Sequence, residues 1–439
     1  MPSPNRVVLA CAGSGKTTGI ARDACESAAQ RSALITYTIN GAGELSKTAY
    51  AAHRGAVPPH ITISTWYAFL LRHFVRSYQN HLYAPRVARI NFIRGQSARF
   101  TKASDIRRHY FSREGVIYLD KVSKFASEVI KRTEGLPIQR FERIFDRLYI
   151  DESQDLQGFD LDLVELLLQS GTEIVLVGDH RQATYSTNDA RKNKKFARAN
   201  IVDKFAEWEK RGLCQIEYQA ESHRCVQAIC DLADQFYPSF PRTISRNDTI
   251  TGHDGVFAIE ESHVKTYFAR FAPQTLRYNR THTGIPGAPI NFGNAKGMTF
   301  DRTLIYPHGP LSKFLKTGNL ADAGAEIPKL YVAITRAPKR RIRRPQRLFG
   351  EGSADISARR GLTGQNVLDG KGISPTKQKS SKRGRRINSS GPGRVRCRPT
   401  RGEVAIARAG AHSNEVERPD VNDICACSDI FGRRARPGV

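Results

Sequence analysis

The sequence predicts an open α/β architecture built on parallel sheets, and three observations predict it. Five short apolar runs alternate with amphipathic stretches between Val7 and Val177. A glycine-rich loop joins the first run to the helical stretch after it. Two adjacent carboxylates end the fourth run.

The runs are Val7–Ala10, Ala33–Tyr37, Ile61–Ser64, Leu148–Ile150 and Ile174–Val177. None alternates apolar with polar, so each reads as a strand buried on both faces. Helical stretches such as Thr17–Ala29 and Asp160–Gln169 lie between them. Sheets of this kind bind ligands beyond the carboxyl ends of their strands, where the polar motifs fall. The span Tyr67–Arg147 is too long for a crossover and reads as a mainly helical insertion, assigned to residues 75–146, with periodic stretches at Ile117–Thr133 and Ile138–Arg147. The first domain then comprises residues 1–74 and 147–215. Four more strand-like runs, Gly255–Ile259, Thr275–Tyr278, Pro289–Phe292 and Arg302–Tyr306, join helices near Val226–Phe236 and Leu330–Arg336. They predict a second, smaller α/β domain over residues 216–337.

The chain has 439 residues, 69 Lys+Arg against 42 Asp+Glu, and a net charge of +27. Hydrophobic residues make up 39%, enough for a large core. No run reaches the roughly 18 apolar residues of a membrane span, so no membrane partner is expected. The start shows no charged-then-apolar leader pattern, and eight scattered cysteines fit reduced thiols in a cytoplasmic protein. The charge points to a polyanion, most simply nucleic acid. It is unevenly spread: residues 338–439 carry +15 and residues 1–337 carry +12. The last hundred residues are rich in Gly, Ser and Arg and lack apolar periodicity, so they read as a disordered basic tail. Cys425 and Cys427 in it have no partner spacing for a metal.

The loop Ala10-Cys11-Ala12-Gly13-Ser14-Gly15-Lys16-Thr17-Thr18 between strand and helix has the form of a phosphate loop, with Ala10 where the pattern begins with Gly. Its glycines let successive N–H groups face a phosphate, and the helix start adds its positive end. Lys16 would reach the β- and γ-phosphates and Thr17 would ligate Mg²⁺. Asp151 and Glu152 end the fourth strand. Beside a phosphate loop, Asp151 would hold the Mg²⁺ and Glu152 would polarise the attacking water. Acids favour helix starts, which is a sufficient account of Asp155 alone. After the fifth strand, Gln182 is placed to contact a γ-phosphate or water, and Tyr185 to stack on a base. Arg224 and Arg336 each read either as surface helix arginines or as fingers that stabilise transition-state charge.

Seven segments in one order resemble the UvrD/Rep-like superfamily 1 DNA helicases. They are Ala12–Thr17, Thr36–Thr38 with Thr65–Phe69, Asp151–Asp155, Gly178–Tyr185, Ser222–Arg224, Asn294–Asp301 and Tyr331–Ala337. The resemblance implies two RecA-like domains with ATP and Mg²⁺ between them and single-stranded or tailed duplex DNA across the top. It implies nucleotide contacts at residues 12–18 and Gly297, γ-phosphate contacts from Arg224 and Arg336, and single-strand contacts at Thr38, Thr65, Trp66, Phe69 and Tyr185. The implied activity is ATP-driven 3′–5′ translocation or unwinding of DNA, in a repair-type setting with a loading partner not named by the sequence.

Four features depart from the family pattern. No Gln precedes the phosphate loop to read adenine. Thr299 stands where many members have Glu. Cys225–Asn294 has no room for a large insertion. Pro338–Pro345 holds two prolines and five basic residues, so it is no central strand and the second sheet is expected to lack one. The abrupt change at Ala337 then reads either as an out-of-frame tail or as a basic tail that binds nucleic acid. Two further functions follow: a DNA-stimulated ATPase without strand separation, and an inactive nucleic-acid-binding remnant.

Overall fold

The structure is a computed structural model that describes residues 4–93, 95–184, 192–248, 253–337 and 403–408. The first lobe runs β1 (Arg6–Ala10), α1 (Lys16–Glu26), β2 (Ser32–Thr36), α2 (Ile39–Ala52), β3 (Ile61–Thr65) and α3 (Trp66–Leu70). The insertion follows with β4 (Ile90–Asn91), α4 (Ile106–Tyr110), β5 (Ile117–Tyr118), α5 (Val122–Arg132) and α6 (Leu136–Ile144). The lobe resumes with β6 (Arg147–Asp151), α7 (Phe159–Leu168), β7 (Glu173–Gly178), α8 (Ile201–Lys210) and β8 (Gln215–Gln219). The second lobe holds β9 (Glu221–Ser222), α9 (Gln227–Asp234), β10 (Ile244–Ser245), β11 (Gly255–Glu260), α10 (Glu261–Phe271), β12 (Gln274–Arg277), β13 (Ile290–Asn291), β14 (Arg302–Ile305), α11 (Gly309–Thr317), α12 (Ile327–Ile334) and β15 (Glu403–Arg408).

The first sheet is six-stranded and parallel, in the order β3-β2-β6-β7-β1-β8. Strands β2, β6 and β7 are apolar on both faces because helices or the insertion cover both faces. Strand β8 (QIEYQ) is the polar exception: it is the edge strand and mostly exposed. It pairs with β1 from Arg6↔Gln215 to Ala10↔Gln219. The boundary expected at 215/216 is therefore corrected: the first sheet runs to Gln219. An edge strand needs only one apolar face, so its sequence carries no buried-run signal.

The insertion is mainly helical, with one short parallel pair, β4–β5. Its helix α5 buries Val122, Phe125, Ala126, Val129 and Ile130, one stripe at helical spacing. These residues share a single core with Phe69, Phe74, Phe141 and Phe145 and with Leu148 and Ile150 of β6. The insertion is thus packed onto the sheet it interrupts.

The second sheet is five-stranded and parallel, in the order β11-β15-β14-β12-β13. Its second position is filled from the tail: Val404 pairs with Val256 on one side and Thr303 on the other. The expected missing strand is corrected on this point. Residues 403–408 (EVAIAR) contain no proline, so every backbone N–H can enter the ladder. The rest of the expected tail lies outside the described residues. Among the described residues, no helix is long and apolar enough to cross a membrane.

Candidate functional site

Strands β6, β7 and β1 lie side by side, in register Asp151↔Val177 and Leu9↔Gly178. Their carboxyl ends bring the phosphate loop, the acid pair and the Gly178–Gln182 segment to one edge of the sheet. Helix α1 starts at Lys16 after Gly15, whose φ is +80°, and no side chain caps it. Its first-turn N–H groups therefore depend on a ligand or water. Ser14 Oγ is buried with no hydrogen-bond partner, and the space around the Gly15 Cα is open. A polyphosphate fits this cradle: it accepts from N–H groups and the orphaned hydroxyl, beside the Lys16 ammonium. Thr18 follows on the same turn, half-buried.

Thr17 Oγ1 donates to Asp151 Oδ2 at 2.8 Å, and the Glu152 N–H donates to Asp151 Oδ1 at 2.9 Å. A hydroxyl and a carboxylate in contact are hard oxygen donors of the type Mg²⁺ takes, so the residues present fit that ion. Burial, then the neighbouring Glu152 charge, raises the Asp151 carboxyl above its ordinary range. Burial also pushes Glu152 up, but Lys296 and Lys16 outweigh it and hold that carboxyl well below its ordinary range. Lys16 Nζ lies 3.9 Å from Glu152 Oε1. Glu152 has φ +57°, a left-handed conformation that a non-glycine residue takes at a cost. The turn it enters, Ser153–Asp155, folds back under β7.

A hydrogen-bonded path runs from Glu152 to the second lobe. The Gln154 amide donates to Glu152, and its Oε1 accepts the Asp179 N–H at 3.0 Å. Asp179 Oδ2 accepts from Gln182 Nε2 at 2.8 Å, and Gln182 Oε1 accepts from Arg336 Nη2 at 3.1 Å. Arg336 is 1% exposed. Burial, then Arg224, lowers its guanidinium to about 10, so it stays charged at neutral pH. Its Nε donates to Val332 O at 2.8 Å. Arg181 completes the corner, paired to Asp179 at 3.0 Å and Asp234 at 3.3 Å.

The second lobe also closes directly on the phosphate loop. Ser222 Oγ donates to Ala12 O at 2.8 Å, the His223 N–H to Gly13 O at 2.9 Å, and the Ala12 N–H to Tyr331 Oη at 3.2 Å. A Cβ on Gly13 would collide with the Arg224 Cβ, so this approach requires glycine. Arg224 Nη1 reaches Thr335 O at 3.5 Å. Ala12 belongs to the same apolar cluster as Cys225, Tyr331 and Val332. A cavity of about 350 Å³ opens beside Lys16 along α1. Its charged rim is already cross-paired, Arg6 with Asp23 and with Glu217, each at 3.9 Å.

Residues 1–188 match the model of a family described as an AAA domain. No curated protein matches the chain. The chain is similar to the PRRSV helicase: 15% identity, TM-score 0.37, over 77% of this chain and 51% of that one. It is likewise similar to arterivirus nonstructural protein 10 (helicase) in complex with DNA, at 12% identity and TM-score 0.38 over 77% of this chain and 60% of that one. A crystal structure of arterivirus nonstructural protein 10 (helicase) gives 13% identity and TM-score 0.36 over 77% of this chain and 58% of that one. The chain thus spans about half to three-fifths of the length of these solved structures.

Phosphate-loop residues 12–18, Asp151, Glu152, Gln182, Arg224 and Arg336 converge on the cleft between the lobes. Gly297 lies on an exposed turn of that cleft's second-lobe side, with φ +79°. Two of the expected base contacts, Trp66 and Phe69, do not converge with it. Trp66 and Phe69 are 0% exposed. Trp66 Nε1 donates to Asp160 Oδ1 at 2.8 Å, and Phe69 packs among Phe74, Phe141 and Phe145. Neither ring offers a face to a base, so both assignments are corrected to core roles. The insertion covers that side of the sheet, and a motif match cannot register what covers it. Thr38 Oγ1 accepts the Gly41 N–H as the cap of α2, and Thr65 precedes α3 half-buried. Tyr185 lies outside the described residues.

Gln154, Asp179, Tyr331 and Lys296 fall in segments that are legible in the sequence, but nothing in the sequence assigns these four a role. Lys296 Nζ stands 2.8 Å from Asp155 Oδ2 and 3.3 Å from Glu152 Oε2. A buried lysine opposite a buried acid pair is visible only once the lobes are assembled.

Proposed function

We propose that this protein is an ATP-dependent motor on single-stranded DNA, a translocase or helicase moving 3′ to 5′. The observation that carries the reading is the contact of Arg336, a second-lobe arginine, with Gln182 of the first lobe beside the phosphate loop and the Asp151–Glu152 pair. In this reading the phosphate-loop N–H groups and Lys16 hold the β- and γ-phosphates. Thr17 and Asp151 would hold Mg²⁺, which would supply positive charge against the developing negative charge. Glu152 accepts a proton from the attacking water, and Arg224 and Arg336 face the γ-phosphate from the opposite lobe. Loss of that phosphate loosens the lobes, and the Glu152–Gln154–Asp179–Gln182–Arg336 path carries the change between them.

With Trp66 and Phe69 in the core, the strand contact falls on the insertion. Phe92 is 75% and Phe100 100% exposed, within a stretch whose Arg86, Arg89, Arg99, Lys102, Arg107 and Arg108 are all exposed. Exposed rings among cations suit unpaired bases and backbone phosphates. The described residues of Cys225–Asn294 are taken up by α9, β10, β11, α10, β12 and β13, which favours a second reading of DNA-stimulated ATPase without strand separation. ATP hydrolysis is measured with and without a poly-thymidine oligonucleotide, and strand displacement on a duplex with a 3′ tail. The motor reading expects Mg²⁺-dependent hydrolysis that the oligonucleotide stimulates and EDTA abolishes. Hydrolysis indifferent to DNA refutes it, and stimulation without displacement selects the second reading.

A further inference from the structure

Lys296 is a second-lobe residue whose ammonium lies in the first lobe's acid cluster. It ends the turn Gly293–Ala295 after β13, and its side chain is 9% exposed. The two oxygens of Glu152 are divided between two lobes: Lys16 lies 3.9 Å from Oε1 and Lys296 3.3 Å from Oε2. The shorter Lys296 contact, 2.8 Å, is to Asp155, so Asp155 anchors the ammonium while Glu152 shares it. A general base must present a lone pair to the water it activates. In Glu152, Oε2 is engaged by Lys296 and by the Gln154 amide, and Oε1 faces Lys16 at 3.9 Å, so the carboxylate is held in place by its surroundings rather than free to turn to a water.

The loop that carries Lys296 is fixed to Arg336. Arg336 Nη1 donates to Met298 O at 3.4 Å, and the Phe300 N–H donates to Arg336 O at 2.9 Å. Lys296 and Arg336 therefore sit on one second-lobe assembly, and both reach across the cleft, one to Glu152 and one to Gln182. A lobe movement that withdraws one contact changes the other.

We propose that Lys296 is a positioning residue acting through Glu152: it restrains the carboxylate in the resting cleft and releases it when a bound single strand resets the lobes, so it sets the ratio of DNA-stimulated to basal hydrolysis. The proposal rests on the reading of Glu152 as the base that activates water. Restraint by a partner across two lobes is a coupling free energy, and couplings of this kind are worth about 5- to 150-fold.

The test is steady-state ATP hydrolysis by the full chain, with and without a poly-thymidine oligonucleotide, for wild type, Lys296→Gln, Asp155→Asn, the double variant and Lys296→Arg. Melting curves establish that each variant is folded. Lys296→Gln is expected to raise basal kcat by about fivefold or more while the stimulated kcat and the KM for ATP stay within about twofold. Asp155→Asn removes the anchor and should reproduce that loss of ratio, with no further loss in the double variant. Lys296→Arg keeps the charge and should keep most of the ratio, which a merely structural role would not require. Unchanged ratios in folded Lys296→Gln overturn the proposal while leaving the motor reading intact. A stimulated kcat that falls about tenfold with basal kcat unchanged overturns it too, and makes Lys296 a phosphate-facing cation. A wild-type chain without Mg²⁺-dependent hydrolysis overturns both the motor reading and the restraint.

Discussion

The two lobes meet at one cleft but are built differently. The first sheet draws all its strands from residues 6–219, interrupted once by an insertion that packs back onto it. The second takes a strand from residues 403–408, some seventy residues beyond α12. The first lobe holds the oxygen donors and the phosphate loop. The second contributes cations, Arg224, Lys296 and Arg336, on short elements. The difference teaches how the candidate site is assembled: its oxygen donors and phosphate loop come from a locally encoded lobe, and the cations that face them come from a lobe assembled from distant chain.

The largest effect should come from the first lobe. Lys16→Ala removes the ammonium at the phosphate loop and should reduce hydrolysis by at least about 1000-fold, to background. Residual hydrolysis near wild type would mean that the loop does not hold the nucleotide. Arg336→Ala should be next, lowering kcat by about 1000-fold with a smaller change in KM. Arg336→Lys should not restore it, because the native side chain spreads bonds over Val332, Met298 and Gln182 from one planar group. An Arg336→Ala variant with normal kcat would reduce the second lobe to a cover.

A third variant tests how the second lobe is assembled. Ile406→Pro removes a backbone N–H from β15, which is paired on both sides. A proline there should cost about 3 kcal/mol and lower the melting temperature of the second lobe. The first-lobe packing should be untouched. An unchanged melt would show that residues 403–408 do not belong to that sheet.

The same asymmetry governs how much the sequence reveals. Strands β1, β2, β3, β6 and β7 are legible as apolar runs because central parallel strands are buried on both faces. Strand β8 is not, because QIEYQ has an exposed edge, and β15 is not, because six weakly patterned residues sit in Gly- and Arg-rich text. The phosphate loop, Asp151 and Glu152 are legible because their chemistry depends on adjacent residues. Lys296 and Gln154 depend on who faces whom across the cleft, which spacing along the chain does not record. Trp66 and Phe69 show the converse: the segment is legible, but the side on which its rings are buried is decided by Phe141, Phe145 and α5, far along the chain.

That reversal supplies the finest test. Trp66 Nε1 is one of the donors on Asp160, together with Ser123 Oγ and Tyr37 Oη at 3.3 Å. Asp160 is fully buried, and burial raises its carboxyl above the ordinary range even against those bonds. Trp66→Phe keeps an aromatic ring but withdraws one donor from a buried carboxyl, at a cost of about 1–3 kcal/mol in stability. Because the ring is buried, affinity for a poly-thymidine oligonucleotide should stay within about twofold. Phe100→Ala should do the opposite. Its side chain is 100% exposed, so the melt should not move. Affinity should fall by an amount equivalent to about 1–3 kcal/mol if the ring stacks on a base. The segment bearing Phe100 is held by Ser97 Oγ on Asp120 Oδ1 at 2.6 Å and by Thr101 Oγ1 with His109 Nδ1 at 3.0 Å, so the loss would not come from a collapsed loop. Fluorescence anisotropy and thermal melts on the two variants separate the cases. Weakened binding in a normally stable Trp66→Phe protein would return the strand to the sheet edge and leave the insertion a purely structural cover.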